Sequence, residues 1–145
     1  MSASPGGPPQ LRGVLETCLY HDSELAPAVE RFYGEILGLA LASRWPGGMA
    51  FRAGRSVVLL FDRAELAKRD GPISAHGTSG PGHACLLAAG PEYERWKSRL
   101  AEVGIEITHE HSWPEQRRSI YFNDPAGNLL EIADGDLWRE GADPA

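Results

Sequence analysis

Hydrophobic and polar positions run through the same order twice along this chain. Val14, Glu16, Cys18 and Tyr20 alternate with Leu15, Thr17 and Leu19, the period-two pattern of a strand. Val29, Phe32, Tyr33 and Ile36 then recur at the three-and-four spacing of a buried helical stripe, with Asp22 or Ser23 placed to cap the helix and Gly38 to end it. Met49 to Phe51 and the apolar run Val57 to Phe61 complete the first copy. The second opens with Gly82-His83-Ala84-Cys85-Leu86. It continues with a helical stripe of Tyr93, Trp96, Leu100 and Val103, a closing Gly104, a strand beginning at Ile105 and Ile107, then Ile120 to Phe122 and Leu129 to Ile132. Each copy reads strand, helix, three strands. The pattern predicts an α+β fold of two βαβββ modules with pseudo-twofold symmetry, forming a cup-shaped mixed β-sheet. One helix per module covers one face of its sheet, so the other face is left for the second copy, a ligand or another subunit.

The repeat makes Glu16 and His83 equivalent, each at the start of its copy. A third polar residue, Glu131, interrupts the apolar strand Leu129-Leu130-Glu131-Ile132-Ala133. A buried carboxylate without a partner costs several kcal/mol, and a divalent cation is one such partner. An ordinary structural role is open to each of the three alone: His83 as a satisfied core histidine, Glu16 or Glu131 as the partner of Arg44, Arg52 or Arg118.

Composition narrows the function. A chain of 145 residues with 42% hydrophobic content suits one domain, burying about 68–70% of its unfolded surface. A net charge of -6, without a basic run interleaved with aromatics, argues against nucleic acid or an anionic membrane as the partner. No apolar stretch reaches the roughly 18 residues of a membrane span, and Met1 to Gln10 lacks the character of a signal peptide, so a cytoplasmic location and reduced thiols are expected. The expected organisation is a disordered tail over 1–12, modules over 13–62 and 82–138 within one domain over 13–138, and a loose end over 139–145. The connector 63–81, rich in Gly and Pro, is expected to hold one helical turn at Ala64 to Lys68 and to act as a mobile flap.

Several runs together resemble the vicinal oxygen chelate superfamily, which includes glyoxalase I, fosfomycin-modifying enzymes, bleomycin-binding proteins, extradiol dioxygenases and methylmalonyl-CoA epimerase. They are Leu15-Glu16-Thr17-Cys18-Leu19-Tyr20, Glu30-Arg31-Phe32-Tyr33 with Leu37-Gly38-Leu39, Gly80-Pro81-Gly82-His83, and Tyr121-Phe122-Asn123-Asp124-Pro125-Ala126-Gly127-Asn128 leading to Glu131. The likeness spans about residues 13 to 138 and is specific for the fold rather than for a reaction. It implies metal ligands on the first and last strand of each copy. Carried over residue by residue, it gives Glu16, His83 and Glu131 as ligands to a divalent ion (Zn, Ni, Mn or Fe(II)), with Glu131 or Glu16 as the proton carrier. The fourth place falls on Val58 or Leu59, apolar either way. That departs from the four protein ligands of glyoxalase I and leaves an open three-ligand site. Glu16 departs from the His usual in the dioxygenase and fosfomycin branches, and two carboxylates with one imidazole bring a divalent site to zero formal charge.

The implied activity is metal-dependent, lyase- or isomerase-like, on a small oxygen-rich substrate chelated so that an enolate or oxyanion is stabilised. The alternatives are a metal-free antibiotic-sequestering protein of the bleomycin-resistance type and extradiol ring cleavage. A homodimer is expected, with sites shared between chains if modules are exchanged. Cys18, Tyr20, Cys85, Trp113 and Tyr121 are candidate cavity walls, although buried filler is the commoner role of free cysteine. Trp45 and Trp138 lie near the cup, and Arg117 with Arg118 suits an anionic substrate. His109 and His111 alternate on one strand face, read as a solvated one.

Overall fold

The structure, a computed structural model, describes residues 7–88 and 90–138. The expected loose ends at 1–6 and 139–145 lie outside the described residues. Residues 7–15 have no regular structure.

Two four-stranded sheets repeat one topology. Strands β1 (Glu16–His21), β2 (Ala40–Trp45), β3 (Gly48–Ala53) and β4 (Ser56–Asp62) form the first, in the order β1-β4-β3-β2. Strands β5 (His83–Leu87), β6 (His109–Ser112), β7 (Arg118–Asn123) and β8 (Leu129–Ala133) form the second, in the order β5-β8-β7-β6. The first strand of each module runs parallel to the last and the other pairs are antiparallel, so both sheets are mixed. This is the expected pair of βαβββ modules.

The first helix departs from its expected form. It begins with a 3-10 turn (Ser23–Leu25), continues as α1 (Ala26–Arg31), and widens into a π-helical turn (Phe32–Ile36) before Gly38 ends it at φ 71°. Neither Asp22 nor Ser23 caps it. The Asp22 carboxylate instead pairs with Arg63 at 2.6 Å, and the Ser23 hydroxyl donates to Asp62 at 2.8 Å. Asp62 is the residue that caps, accepting from the N–H groups of Ala64 and Glu65 to start α2 (Arg63–Ala67), the helical turn expected at the head of the connector. Helix α3 (Pro91–Glu102) buries Tyr93 and Leu100 and leaves Val103 exposed, with Gly104 closing it at φ 77°. The strand expected from Ile105 begins only at His109. Ile105 and Ile107 pack against the core outside the ladder, which the chain joins through Thr108 N–H to the Tyr121 carbonyl.

One core joins the modules. Leu19, Phe32, Phe51 and Leu60 from the first meet Tyr93, Leu100, Phe122 and Ile132 from the second. Each sheet turns one face to this core and the other outward, as strand alternation requires. The outward face of the first sheet carries Glu16, Cys18 and Tyr20 from β1 and Leu59 and Phe61 from β4. Leu66 of α2 and the His76 ring, 5.0 Å from Phe61, cover its far end. The connector therefore lies over this sheet, where the Tyr20 hydroxyl meets His76 Nδ1 at 2.6 Å.

The turn between β7 and β8 fastens the modules together. Buried Asp124 accepts hydrogen bonds from the N–H groups of Ala126 and Asn128, from the Asn128 side-chain amide, and from the Tyr33 hydroxyl of the first module at 2.8 Å. Asn128 in turn donates to the Tyr20 carbonyl and accepts from Gly82 N–H. Burial, together with the Asp124 charge, raises the Tyr33 phenol far above its ordinary pKa, so it remains a donor at every working pH. Tyr33→Phe removes one charge-assisted bond and is expected to lower unfolding free energy by about 1.5–3 kcal/mol in urea titration. A variant with an unchanged midpoint contradicts that role.

Candidate functional site

The pairing register shows which positions the two modules share. Glu16 stands opposite Val57 and Cys18 opposite Leu59, while His83 stands opposite Leu129 and Cys85 opposite Glu131. Leu59, not Val58, is therefore the counterpart of Glu131. The backbone symmetry is complete across these strands, and only the side chains break it.

His83 and Glu131 come together on the outward face of the second sheet. His83 Nε2 lies 3.2 Å from Glu131 Oε1. His83 Nδ1 lies 2.9 Å from the Leu129 carbonyl oxygen, which only accepts, so Nδ1 carries a proton and the second ring nitrogen, Nε2, is the one turned to the carboxylate, with a lone pair whenever the ring is neutral. A lone pair facing a carboxylate oxygen is repulsive unless a proton or a metal cation lies between them. The Glu131 side chain is only 7% exposed and its Oε2 is buried without a hydrogen-bond partner. An oriented imidazole braced by a carbonyl, beside a buried carboxylate with spare acceptor capacity, suits a divalent cation. Two of the three arginines weighed as structural partners are committed elsewhere, Arg44 to Glu30 and Arg118 to Glu94 and Asp134, and Arg52 lies exposed on β3 of the other sheet.

Glu16 is not part of this pair. It is exposed at the start of β1 on the other sheet, and among the described residues no three His, Cys, Asp or Glu side chains converge. Strands β1 and β5 each pair on one edge only, and a cleft of about 700 Å³ separates them, bordered by Thr17 and Val57 on one side and His83, Cys85 and Leu87 on the other.

The pair opens into a cavity of about 620 Å³ whose walls include Cys85, Trp113, Tyr121, Arg117, Leu137 and Trp138. Cys85, Trp113 and Tyr121, three of the candidate wall residues, line this cavity. Cys18 and Tyr20 lie instead on the outward face of the first sheet, with Phe61 and Trp45. The loop over this cavity contains two successive residues in the left-handed region, Glu115 at φ 62° and Gln116 at φ 64°, conformations that cost of order 1 kcal/mol each for residues with a Cβ. Arg117 forms no ion pair among the described residues, whereas Arg118 is held by Glu94 and Asp134. Sequence reasoning missed Leu137, since it follows the last strand without a periodic signal, and the Leu129 carbonyl, since any residue type supplies one.

Glu131 also governs its neighbours. Cys85 is exposed as a residue, yet its thiol stands beside the Glu131 carboxylate; desolvation first, then that negative charge, pushes it up to about 12. Tyr121 is raised by the same two causes in the same order.

The chain is similar to several known proteins. The family model described as Glyoxalase/Bleomycin resistance protein/Dioxygenase superfamily matches residues 23–132. A glutathione transferase FosA from Serratia marcescens is 31% identical over 107 residues, covering 73% of this chain and 70% of the relative. A crystal structure of lactoylglutathione lyase from Agrobacterium tumefaciens is 39% identical with a TM-score of 0.82, covering 89% of this chain and 98% of that one. A glyoxalase/bleomycin resistance protein/dioxygenase from Nocardioides is 28% identical with a TM-score of 0.67, covering 94% and 89%.

Two outcomes follow from the site's electrostatics. In chelator-treated protein, Glu131→Leu, which installs the residue type already present at the counterpart Leu59, is expected to raise stability by about 1 kcal/mol or more in thermal or urea unfolding, because it removes a buried carboxyl oxygen that has no hydrogen-bond partner. A destabilised variant argues that the carboxylate is already satisfied. A negative neighbour disfavours thiolate, so in a Cys18→Ser background Cys85 is expected to alkylate with iodoacetamide more slowly at pH 8 than a free thiol of pKa about 8.5, and Glu131→Gln to speed it. Equal rates with and without the carboxylate contradict the coupling.

Proposed function

This chain belongs to the Glyoxalase/Bleomycin resistance protein/Dioxygenase superfamily, and from that premise we propose that it is a metal-dependent, lyase-type enzyme acting on a small oxygen-rich substrate in the cup beside His83 and Glu131. The observation that carries the reading is the orphaned, buried Oε2 of Glu131 beside the oriented Nε2 of His83. These atoms and the Glu16 carboxylate are the residues that would hold a divalent ion. Such an ion supplies Lewis-acid polarisation of substrate oxygens as charge develops on them. Among borderline ions, Zn, Ni, Mn and Fe(II) all accept this mixture of nitrogen and oxygen donors.

The chain's own residues supply the rest. The Leu129 carbonyl keeps the His83 proton on Nδ1 and so preserves the Nε2 lone pair. Glu131, walled by Tyr121 and Cys85, has an oxygen free of other bonds and is the group placed to take a substrate proton and return it. Trp113, Leu137 and Trp138 give the cup an apolar wall for the carbon skeleton of a substrate, and the Arg117 guanidinium meets an anionic part of it. Likeness to a lactoylglutathione lyase at 39% identity favours lyase chemistry over ring cleavage.

The site is completed by a second copy of the chain in this reading. Within one chain Glu16 stays apart from His83 and Glu131, while β1 and β5 keep open edges and both sheets turn a face outward. A homodimer in which the first module of one chain meets the second module of the other brings Glu16 to the pair, by the pseudo-twofold equivalence of Glu16 and His83.

Metal analysis after dialysis is expected to find one divalent ion per chain fewer in Glu16→Ala or His83→Ala than in the wild type, with loss of lactoylglutathione lyase or glutathione-transfer activity in both. Because a shared site draws Glu16 and His83 from different chains, unfolding and refolding the two variants together restores one intact site in each mixed dimer, about a quarter of the metal that the variants lose for statistical mixing. No recovery in the mixture shows that each chain builds its own site. Equal metal content in the wild type and both variants after reconstitution with each of the four ions sinks the proposal.

A further inference from the structure

His109 and His111 stand on β6 at the outer edge of the second sheet, with their rings on the same outward face as Tyr121 and Glu131. The register fixes this: His109 pairs with Tyr121, which pairs with Glu131, and His111 pairs with Ser119. His109 Nε2 and His111 Nδ1 face each other 3.5 Å apart. Two imidazole nitrogens bound to one tetrahedral zinc at about 2.0–2.1 Å stand about 3.3–3.4 Å apart, so the separation already suits chelation, and a turn of the rings out of their mutual hydrogen bond aims both lone pairs at one ion. Both rings are braced. The Trp113 ring packs edge-on against His111 with centroids 4.4 Å apart, and its indole N–H is tied to the Ser119 hydroxyl at 2.9 Å. Tyr121 lies against His109 with centroids 6.0 Å apart.

We infer that His109 and His111 form a second metal-binding site at the rim of the cup, taking zinc or a similar borderline divalent ion through two imidazoles and leaving its other positions open. Glu110, between them in sequence, points to the opposite face, where it accepts from the Tyr93 hydroxyl and Lys97 and is not a third ligand. In the ladder Tyr121 stands between His109 and Glu131, and its ring lies against the rings of both His109 and His83, which separates the two places. With two protein ligands, the rim ion binds more weakly than one held by three. Its open positions lie on the outward face of the sheet, beside Tyr121 and Trp113 of the cavity wall. The rim site stands on its own geometry and does not depend on the metal centre proposed at His83.

The test is zinc binding to the full chain stripped by chelator, followed by equilibrium dialysis with elemental analysis. The wild type is expected to bind one more zinc per chain than His109→Gln/His111→Gln, and His83→Ala/Glu131→Gln is expected to keep the ion that the double histidine variant loses. If the His83 centre takes no metal, the wild type still binds one zinc and His109→Gln/His111→Gln none, which supports the rim site while removing the other. Equal stoichiometry in wild type and His109→Gln/His111→Gln overturns the inference. In the unaltered protein, imidazole resonances of His109 and His111 are expected to shift together on adding zinc, and resonances that stay fixed through saturation overturn it independently of any variant.

Discussion

The Asp124 carboxylate accepts from the Tyr33 hydroxyl, two backbone N–H groups of its own turn and the Asn128 amide, and Asn128 carries the connection on to the Tyr20 carbonyl and Gly82. A buried carboxylate is tolerated only when its acceptor capacity is met, and here one of its four donors, the Tyr33 hydroxyl, is supplied only if the second module sits against the first in one orientation. The apolar core between the sheets gains from any close approach of Phe32 to Phe122. The hydrogen bonds around Asp124 make one approach better than the rest. They also decide which faces remain uncovered, because locking helices and inner faces together leaves both outer faces for something else.

Two buried carboxylates in one module then follow opposite rules. Asp124 is saturated with donors and holds structure, whereas Glu131, seven residues on, has an oxygen with none. Folding alone gives no reason to retain such a group, since the equivalent strand of the first module carries Leu59 and packs well. The contrast is what the proposed site rests on: a fold built from one repeated unit keeps its energetic burden on a single copy, next to an imidazole whose Nδ1 is held by a backbone carbonyl.

Much of this was legible in the sequence. The strand–helix–three-strand order was readable from alternation and helical spacing because those patterns record which face is buried. Glu131 stood out because a carboxylate in an apolar strand is costly wherever the fold places it. Helix starts were less legible: Asp22 and Ser23 look like caps, but Arg63 and Asp62 compete for them through contacts about forty residues away. Ile105 and Ile107 look like a strand, but their apolar groups are satisfied by core packing without a ladder. Choosing Leu59 over Val58 required the register itself, since one residue of slip reverses every side chain and turn glycines do not fix it. The separation of Glu16 from His83 was equally hidden, because a repeat shows that two positions are equivalent without showing whether one chain or two brings them together.

The central claim is that His83 and Glu131 are two donors of one cation site, with Glu16 from another copy as the third. Anomalous diffraction from crystals of the zinc-loaded protein tests it most directly. The account predicts an anomalous peak about 2.0–2.2 Å from His83 Nε2 and from a Glu131 oxygen, with the Glu16 carboxylate of a second chain in the same coordination sphere. A metal-loaded crystal with no peak between His83 and Glu131, and with Oε2 of Glu131 bonded instead to a protein donor, contradicts it.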